Sequence, residues 1–184
     1  MISELKAVYR NDPAARGLEP FLYPGLKAVW THKYLVRPLY RIRLRFFARW
    51  VSQINRFFTG IEIHPGARIG KGLFIDHGMG IVIGETAVIG DGCVLFHGVT
   101  LGGTGKHHGK RHPTLGNNVL VGANATVLGP CLVGDNVKIG AETVLINRIV
   151  PADCTVVGAP GKIVRKDGVR VDIDPEKTGE PVHE

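Results

Sequence analysis

Residues 81–101 read I-V-I-G-E-T-A-V-I-G-D-G-C-V-L-F-H-G-V-T-L, and their period is six. Ile83, Ile89, Leu95 and Leu101 fall at six-residue intervals, and glycine follows the first, second and fourth of them. The period extends backward through Ile63, Ile69 and Ile75, with two extra residues before Ile83. After an interruption it extends forward through Leu115, Val121, Val127, Val133, Ile139 and Leu145, with Val157 read in the same register. The fifth place of each hexad is mostly small or branched: Ala67, Ala87, Cys93, Val99, Val119, Ala125, Cys131, Val137, Thr143. A helix would need an apolar period near 3.6. A six-residue period is instead the signature of a parallel β-helix, and about fourteen hexads fit here with two insertions. Each hexad supplies a strand and a turn, and three make a triangular coil of about eighteen residues. The aliphatic residue points inward, so stacked coils share one continuous core. Cys93 and Cys131 occupy the small interior place and Cys154 a closing turn, so all three are read as structural.

Composition agrees with a fold of many tight turns. Of 184 residues, 25 are Gly and only 7% are aromatic, while 44% are hydrophobic, enough for a core. The net charge of +7 favours an anionic partner, whether nucleic acid, membrane surface or phosphorylated small molecule. MISELKAVYR has no apolar signal core, and no apolar run is long enough to span a bilayer. Three widely spaced cysteines form neither a disulfide framework nor a metal pair, which points to a reducing cytoplasm.

The first sixty residues lack the repeat and are read as a small helical domain. Asn11-Asp12-Pro13 predicts a helix start, with Pro13 in the first turn. A second short helix is expected from Pro24 to His32. Pro38 is expected to open a longer one, because Leu39, Ile42, Phe46, Phe47, Trp50, Ile54, Phe57 and Phe58 recur at three- and four-residue spacing. Gly60 is the expected stop. Eight Lys and Arg residues from Lys27 to Arg56 have no acid among them. The reading preferred over a membrane anchor is a helix that packs its aromatic stripe on a partner and solvates its charges. No nucleic-acid reading motif accompanies the charge.

The repeat occupies 61–165 and is broken once by a loop, residues 102–114. Leu101 to Thr114 reads L-G-G-T-G-K-H-H-G-K-R-H-P-T, with four glycines and three histidines. Loops on rigid scaffolds usually carry function. His77, after Asp76, falls at a turn and not at an inward place, and Glu62 precedes it by fifteen residues. A carboxylate beside an imidazole holds its tautomer and raises its basicity, which suits a general base. His64, His77, His97 and His112 also raise the alternative of a zinc site. Residues 166–184 are polar and are expected to be a flexible tail.

Three runs carry a closer likeness: H-P-G-A-R-I-G at 64–70, D-H-G-M-G-I-V-I-G-E-T-A-V-I-G at 76–90, and G-V-T-L-G-G-T-G-K at 98–106 with R-H-P at 111–113. They resemble serine O-acetyltransferase, in a form with a short N-terminus, from about Asp12 to Val164. The resemblance implies a mainly β fold, a left-handed parallel β-helix behind a small helical domain. It implies acetyl transfer from acetyl-CoA to L-serine, with no metal required. By the resemblance His77 is the general base and Glu62, where many members have Asp, its orienting carboxylate. Asp76, Arg111, His112 and Asp12 match serine-binding positions. Gly102, Gly103, Thr104, Gly105, Lys106, Ala123 and Lys138 are the expected wall for acetyl-CoA. The resemblance further implies a homotrimer with each site between two prisms, and leaves pairing of trimers into hexamers open. The family often ends in Ile, which docks into O-acetylserine sulfhydrylase. This chain ends Pro181-Val182-His183-Glu184, which argues against that complex.

Overall fold

The computed structural model describes residues 2–105 and 108–178. From Glu62 onward short parallel strands wind into a three-sided prism. The first face stacks Glu62–Ile63, Val82–Ile83, Thr100–Gly102, Thr126–Leu128 and Val144–Ile146. The second carries Arg68–Ile69, Val88–Ile89, Thr114–Leu115, Leu132–Val133 and Arg148–Val150, and the third Phe74–Asp76, Val94–Phe96, Leu120–Val121, Lys138–Ile139 and Cys154–Val157. The hexad aliphatics point inward, and Ile63, Ile83, Leu95, Leu101, Val121, Val127, Ile139 and Leu145 are all buried. Each such side chain contributes roughly 1.5–3 kcal/mol relative to an exposed one. Cys93, Cys131 and Cys154 are buried and reduced.

Departures from the period have structural addresses. The first and second coils are offset by 20 residues (Ile63 beside Ile83), the second and third by 18 (Ile83 beside Leu101). The two extra residues lie in the corner between Asp76 and Ile81. The loop of 102–114 is inserted in a different corner, between the first and second faces. Register also shifts once near the end. Val133 pairs with Val150, 17 residues on, because the corner at Asn147, with φ 50°, is one residue short. Val156 is therefore buried and Val157 is 39% exposed, which corrects the expectation that Val157 keeps the inward place.

The expected tail is folded through residue 178. Lys162–Lys166 turns back antiparallel on Cys154–Val157, Val169–Ile173 pairs beside it, and Glu176–Lys177 pairs with Arg148–Val150. An open last coil would leave strand edges unpaired, and these strands cover those of the second and third faces. The end of the chain at 181–184 lies outside the described residues.

Four helices pack at the other end of the prism: α1 (Ile2–Asn11), α2 (Pro24–Thr31), α3 (Arg37–Arg41) and α4 (Arg45–Thr59). Two sequence expectations fail here. Asp12 follows a helix instead of starting one: α1 ends at Asn11, and Asp12 Oδ1 accepts the Ala14 N–H at 2.8 Å in a turn. The extended backbone preferred before a proline suits an N-cap and a helix exit alike, and packing of Ala7 and Val8 with Phe74 places the helix before Asp12. The long helix expected from Pro38 is broken at Ile42–Leu44, with Arg43 at φ 65°. Gly60 does stop α4, at φ 71°.

Helix α4 docks on the prism by its polar side. Ser52 Oγ donates to the Ile63 carbonyl at 2.7 Å, and Ala48, Asn55 and Thr59 are buried. The aromatic stripe points away from the chain, with Phe46, Trp50, Phe57 and Phe58 exposed. His32 ties a π-helical turn (His32–Val36) to the first coil through Nε2 and the Ala67 carbonyl, 3.1 Å apart. No described helix is long and apolar enough to cross a membrane.

Candidate active site

The enlarged corner after Asp76 presents His77 to solvent, 77% exposed and at φ 60°. This left-handed geometry is uncommon for a side chain other than glycine. Gly78 continues the turn at φ 82°, and a Cβ there would lie 2.5 Å from Ile61 Cδ1. Packing thus fixes the backbone that aims the imidazole outward. Asp76 Oδ1 is 3.7 Å from His77 Nε2, and the His97 ring stands edge-on with centroids 6.1 Å apart.

The helical domain completes a recess around this corner. A cavity of about 510 Å³ is lined by Asp12, Tyr23, Pro24, Ile75, Asp76 and His77. The Tyr23 hydroxyl donates to Asp12 Oδ2 at 2.5 Å. That bond, then the Ala14 N–H, holds the Asp12 carboxyl below its usual range, while the Tyr23 phenol is pushed up to about 12 by the same bond. Two carboxylates and an imidazole facing one recess suit a ligand with an ammonium group and a proton to give up.

Glu62 is placed otherwise. Its carboxylate takes Arg49 Nη2 at 3.2 Å and Arg56 Nη1 at 3.0 Å, both from α4, and it makes no ion pair with His77. The fifteen-residue spacing did not show the arginines that compete for the carboxylate.

Arg111 and His112 lie on the other edge, at the base of the loop, locked to their own prism. Arg111 Nη2 meets Glu85 Oε2 at 2.6 Å. Thr86 organises the pair: its Oγ1 accepts the backbone N–H of Arg111 and of His112, each at 3.1 Å. The Thr86 N–H donates to His112 Nδ1 at 3.2 Å, and Oγ1 is 2.9 Å from the same nitrogen. Nδ1 is therefore an acceptor and the ring proton belongs on Nε2. The ring packs against Gly84, where an added Cβ would collide with Cδ2. Burial, then Arg111 and Lys110, pushes the His112 imidazole down to about 4, so it is neutral at pH 7.

The expected coenzyme wall is divided. Gly102, Gly103, Thr104 and Gly105 run along the loop edge, Ala123 sits at the corner between third and first faces, and Lys138 is exposed on the third face. Lys106 lies outside the described residues. A single chain does not bring these groups together. Among the described residues no three His, Cys, Asp or Glu side chains converge as metal ligands. His64 Nδ1 instead accepts the Gly66 N–H at 3.0 Å.

Sequence reasoning missed Tyr23, Glu85 and Thr86. Tyr23 carried no signal, since nothing local couples it to Asp12. Glu85-Thr86 follows the glycine of a hexad and looked like ordinary turn residues.

Hexad coils with a histidine at one corner and a glycine-rich loop at another define a hexapeptide-repeat transferase. The model of the bacterial transferase hexapeptide family (six repeats) matches residues 112–147. A serine acetyltransferase of Synechococcus elongatus is 56% identical over 94% of this chain and 70% of its own. One from Staphylococcus aureus is 53% identical over 100% and 87%. The crystal structure of the Neisseria gonorrhoeae serine acetyltransferase superposes with a TM-score of 0.86 at 40% identity, over 92% of this chain and 65% of that one. A Brucella abortus serine acetyltransferase in complex with coenzyme A gives 0.86 at 40%, over 91% and 67%. The chain belongs to the serine acetyltransferase family, and its prism is the left-handed parallel β-helix of that family.

Proposed function

We propose that the chain transfers the acetyl group of acetyl-CoA to the hydroxyl of L-serine, giving O-acetyl-L-serine and coenzyme A, a step of cysteine biosynthesis. The observation that carries the reading is the recess in which Asp12 and Asp76 face His77. Serine's ammonium is matched by the two carboxylates. His77 takes the hydroxyl proton as the oxygen attacks the thioester carbonyl, and returns it to the departing coenzyme A sulfur. Arg111 binds the serine carboxylate in a bidentate fork. His112, neutral with its proton on Nε2, donates to the carboxylate or to the developing oxyanion. Glu62 orients His77 once Arg49 and Arg56 release it. Gly102 to Lys106, with Ala123 and Lys138, receives acetyl-CoA. Each bond made or broken is accounted for by these groups, so the scheme calls for no metal.

The working unit in this reading is a homotrimer. His77 and Arg111-His112 occupy different edges of one prism, so they serve one site only where the edge of one chain meets the other edge of the next. The exposed aromatic stripe of α4 supports association with neighbours and leaves pairing of trimers open. Thiol release from acetyl-CoA, with L-serine compared against a panel of sugar acceptors, tests the activity. Release specific to L-serine is expected; preference for a sugar hydroxyl contradicts the proposal.

A further inference from the structure

A concentration of positive charge lies apart from the recess, on residues that do not line it. Two adjoining cavities, of about 560 and 710 Å³, run between α3 and the start of the second face, and Arg37, Arg41 and Arg68 line both. Arg43, Arg45 and Lys110 line the first. None of these six cations has a carboxylate within ion-pair distance among the described residues. The two acids of the lining are already engaged. Glu85 holds Arg111 at 2.6 Å and accepts the Tyr40 hydroxyl at 3.3 Å, and Asp91 Oδ1 accepts the Lys71 N–H at 2.7 Å.

Three of the six cations are held in place. Arg37 Nη1 donates to the Gly66 carbonyl at 2.9 Å, and the Arg45 guanidinium lies 5.8 Å from the Tyr40 ring centroid. Lys110 is exposed as a residue, but its Nζ sits 2.7 Å from the Thr86 carbonyl and 3.2 Å from that of Pro113. Burial, then Arg68, pushes the Lys110 ammonium down to about 8. Burial, then Arg41 and Arg68, also lowers Arg37. Each therefore feels a neighbouring cation. Assembling like charges without a counter-ion is unfavourable, and a concave site so lined concentrates anions.

We propose that this trough is a binding site for a small phosphorylated anion, with Arg37, Arg41 and Arg68 at its centre and Arg43, Arg45 and Lys110 at one end. Planar guanidinium groups bind phosphate oxygens in pairs, which selects phosphate over a single point charge. The cavity sizes suit a small molecule. The site is separate from the proposed coenzyme wall, whose residues lie along the loop edge, at the Ala123 corner and on the third face. It does touch the catalytic apparatus from behind. Thr86 and Glu85 line it, and the same two residues anchor Arg111 and His112, so an occupant bears on the loop base.

The test is isothermal titration calorimetry of the whole protein with inorganic pyrophosphate, at ionic strength fixed by sodium chloride. The primary titration contains neither serine nor coenzyme A, so its outcome does not depend on the acetyl-transfer reading; coenzyme A is added only in a separate competition arm. Saturable binding is expected, unaffected by saturating coenzyme A and weakened at least about tenfold in Arg41→Gln/Arg68→Gln. The double variant Lys6→Gln/Lys27→Gln, which removes equal charge elsewhere, should bind as the parent does. Circular dichroism of both variants confirms that they fold. The proposal is overturned by non-saturable heat, by displacement with coenzyme A, by equal affinity in Arg41→Gln/Arg68→Gln, or by a DNA duplex that outcompetes pyrophosphate for the same arginines.

Discussion

Two edges of one prism carry the groups of interest in opposite states. On the edge after Asp76, His77 is exposed beside a half-open recess roofed by Asp12 and Tyr23. On the loop edge, Arg111 is already paired to Glu85, and His112 is buried on Gly84 under three contacts with Thr86. One edge is open and waits for something to cover it. The other is rigid and preset, as a group delivered to a neighbour's site must be. The difference explains why neither edge alone looks like a finished active site.

Removing the reactive group of the open edge should have the largest effect. His77→Ala is expected to lower kcat by at least about a hundredfold, the usual scale for a general base, with thiol release as the assay and unchanged thermal unfolding as the control. Retained turnover would leave the open edge without a catalytic role.

Acidification should act on the preset edge. The folded His112 value of about 4 lies below the ordinary 6.5, so neutral His112 supports loop docking fully above about 6.5 and loses that support as pH falls toward 4. Amide exchange in the loop, corrected for its intrinsic pH dependence, should rise on the order of tenfold from pH 7 to pH 5. His112→Gln should flatten that response. A loop equally protected at both pH values would show that burial of the imidazole does not govern docking.

A smaller effect is expected in the recess. Tyr23→Phe removes one hydrogen bond to Asp12. It should raise KM for serine about fivefold with little change in kcat, the scale of a single hydrogen bond to a charged group. A fall in kcat alone would move Tyr23 from ligand binding to the chemical step.

The prism was legible in the sequence because a period of six leaves little choice. Each inward aliphatic from Ile63 to Leu145 reports its own face, and both insertions announce themselves as breaks. Even there a one-residue shortening at Asn147 was invisible, since Val156 and Val157 are both valine and only strand pairing tells them apart. The helical end was harder. Asp12-Pro13 fits the start of a helix and the exit from one equally well, and the outcome depended on α1 packing Ala7 and Val8 against Phe74. The α4 aromatics look like a core stripe by spacing, yet the prism took Ser52 instead, whose hydroxyl donates to the Ile63 carbonyl on the first coil, while the buried Asn55 donates to Ala28 in α2. Of the site, His77, Asp76 and the loop stood out as departures from the repeat. Tyr23 and Thr86 did not, because their roles are contacts across 11 and 26 residues.

The central claim is that one site is assembled from the open edge of one chain and the preset edge of another. Subunit complementation tests it most directly. His77→Ala and Arg111→Ala chains, each inactive alone, are unfolded together at equal concentration, refolded and assayed for serine-dependent thiol release. In a cyclic trimer with shared sites, every mixed trimer regains one intact site, so about a quarter of parental activity should return. Mixed trimers that form but stay as inactive as either parent would contradict the account, because each site would then lie within a single chain.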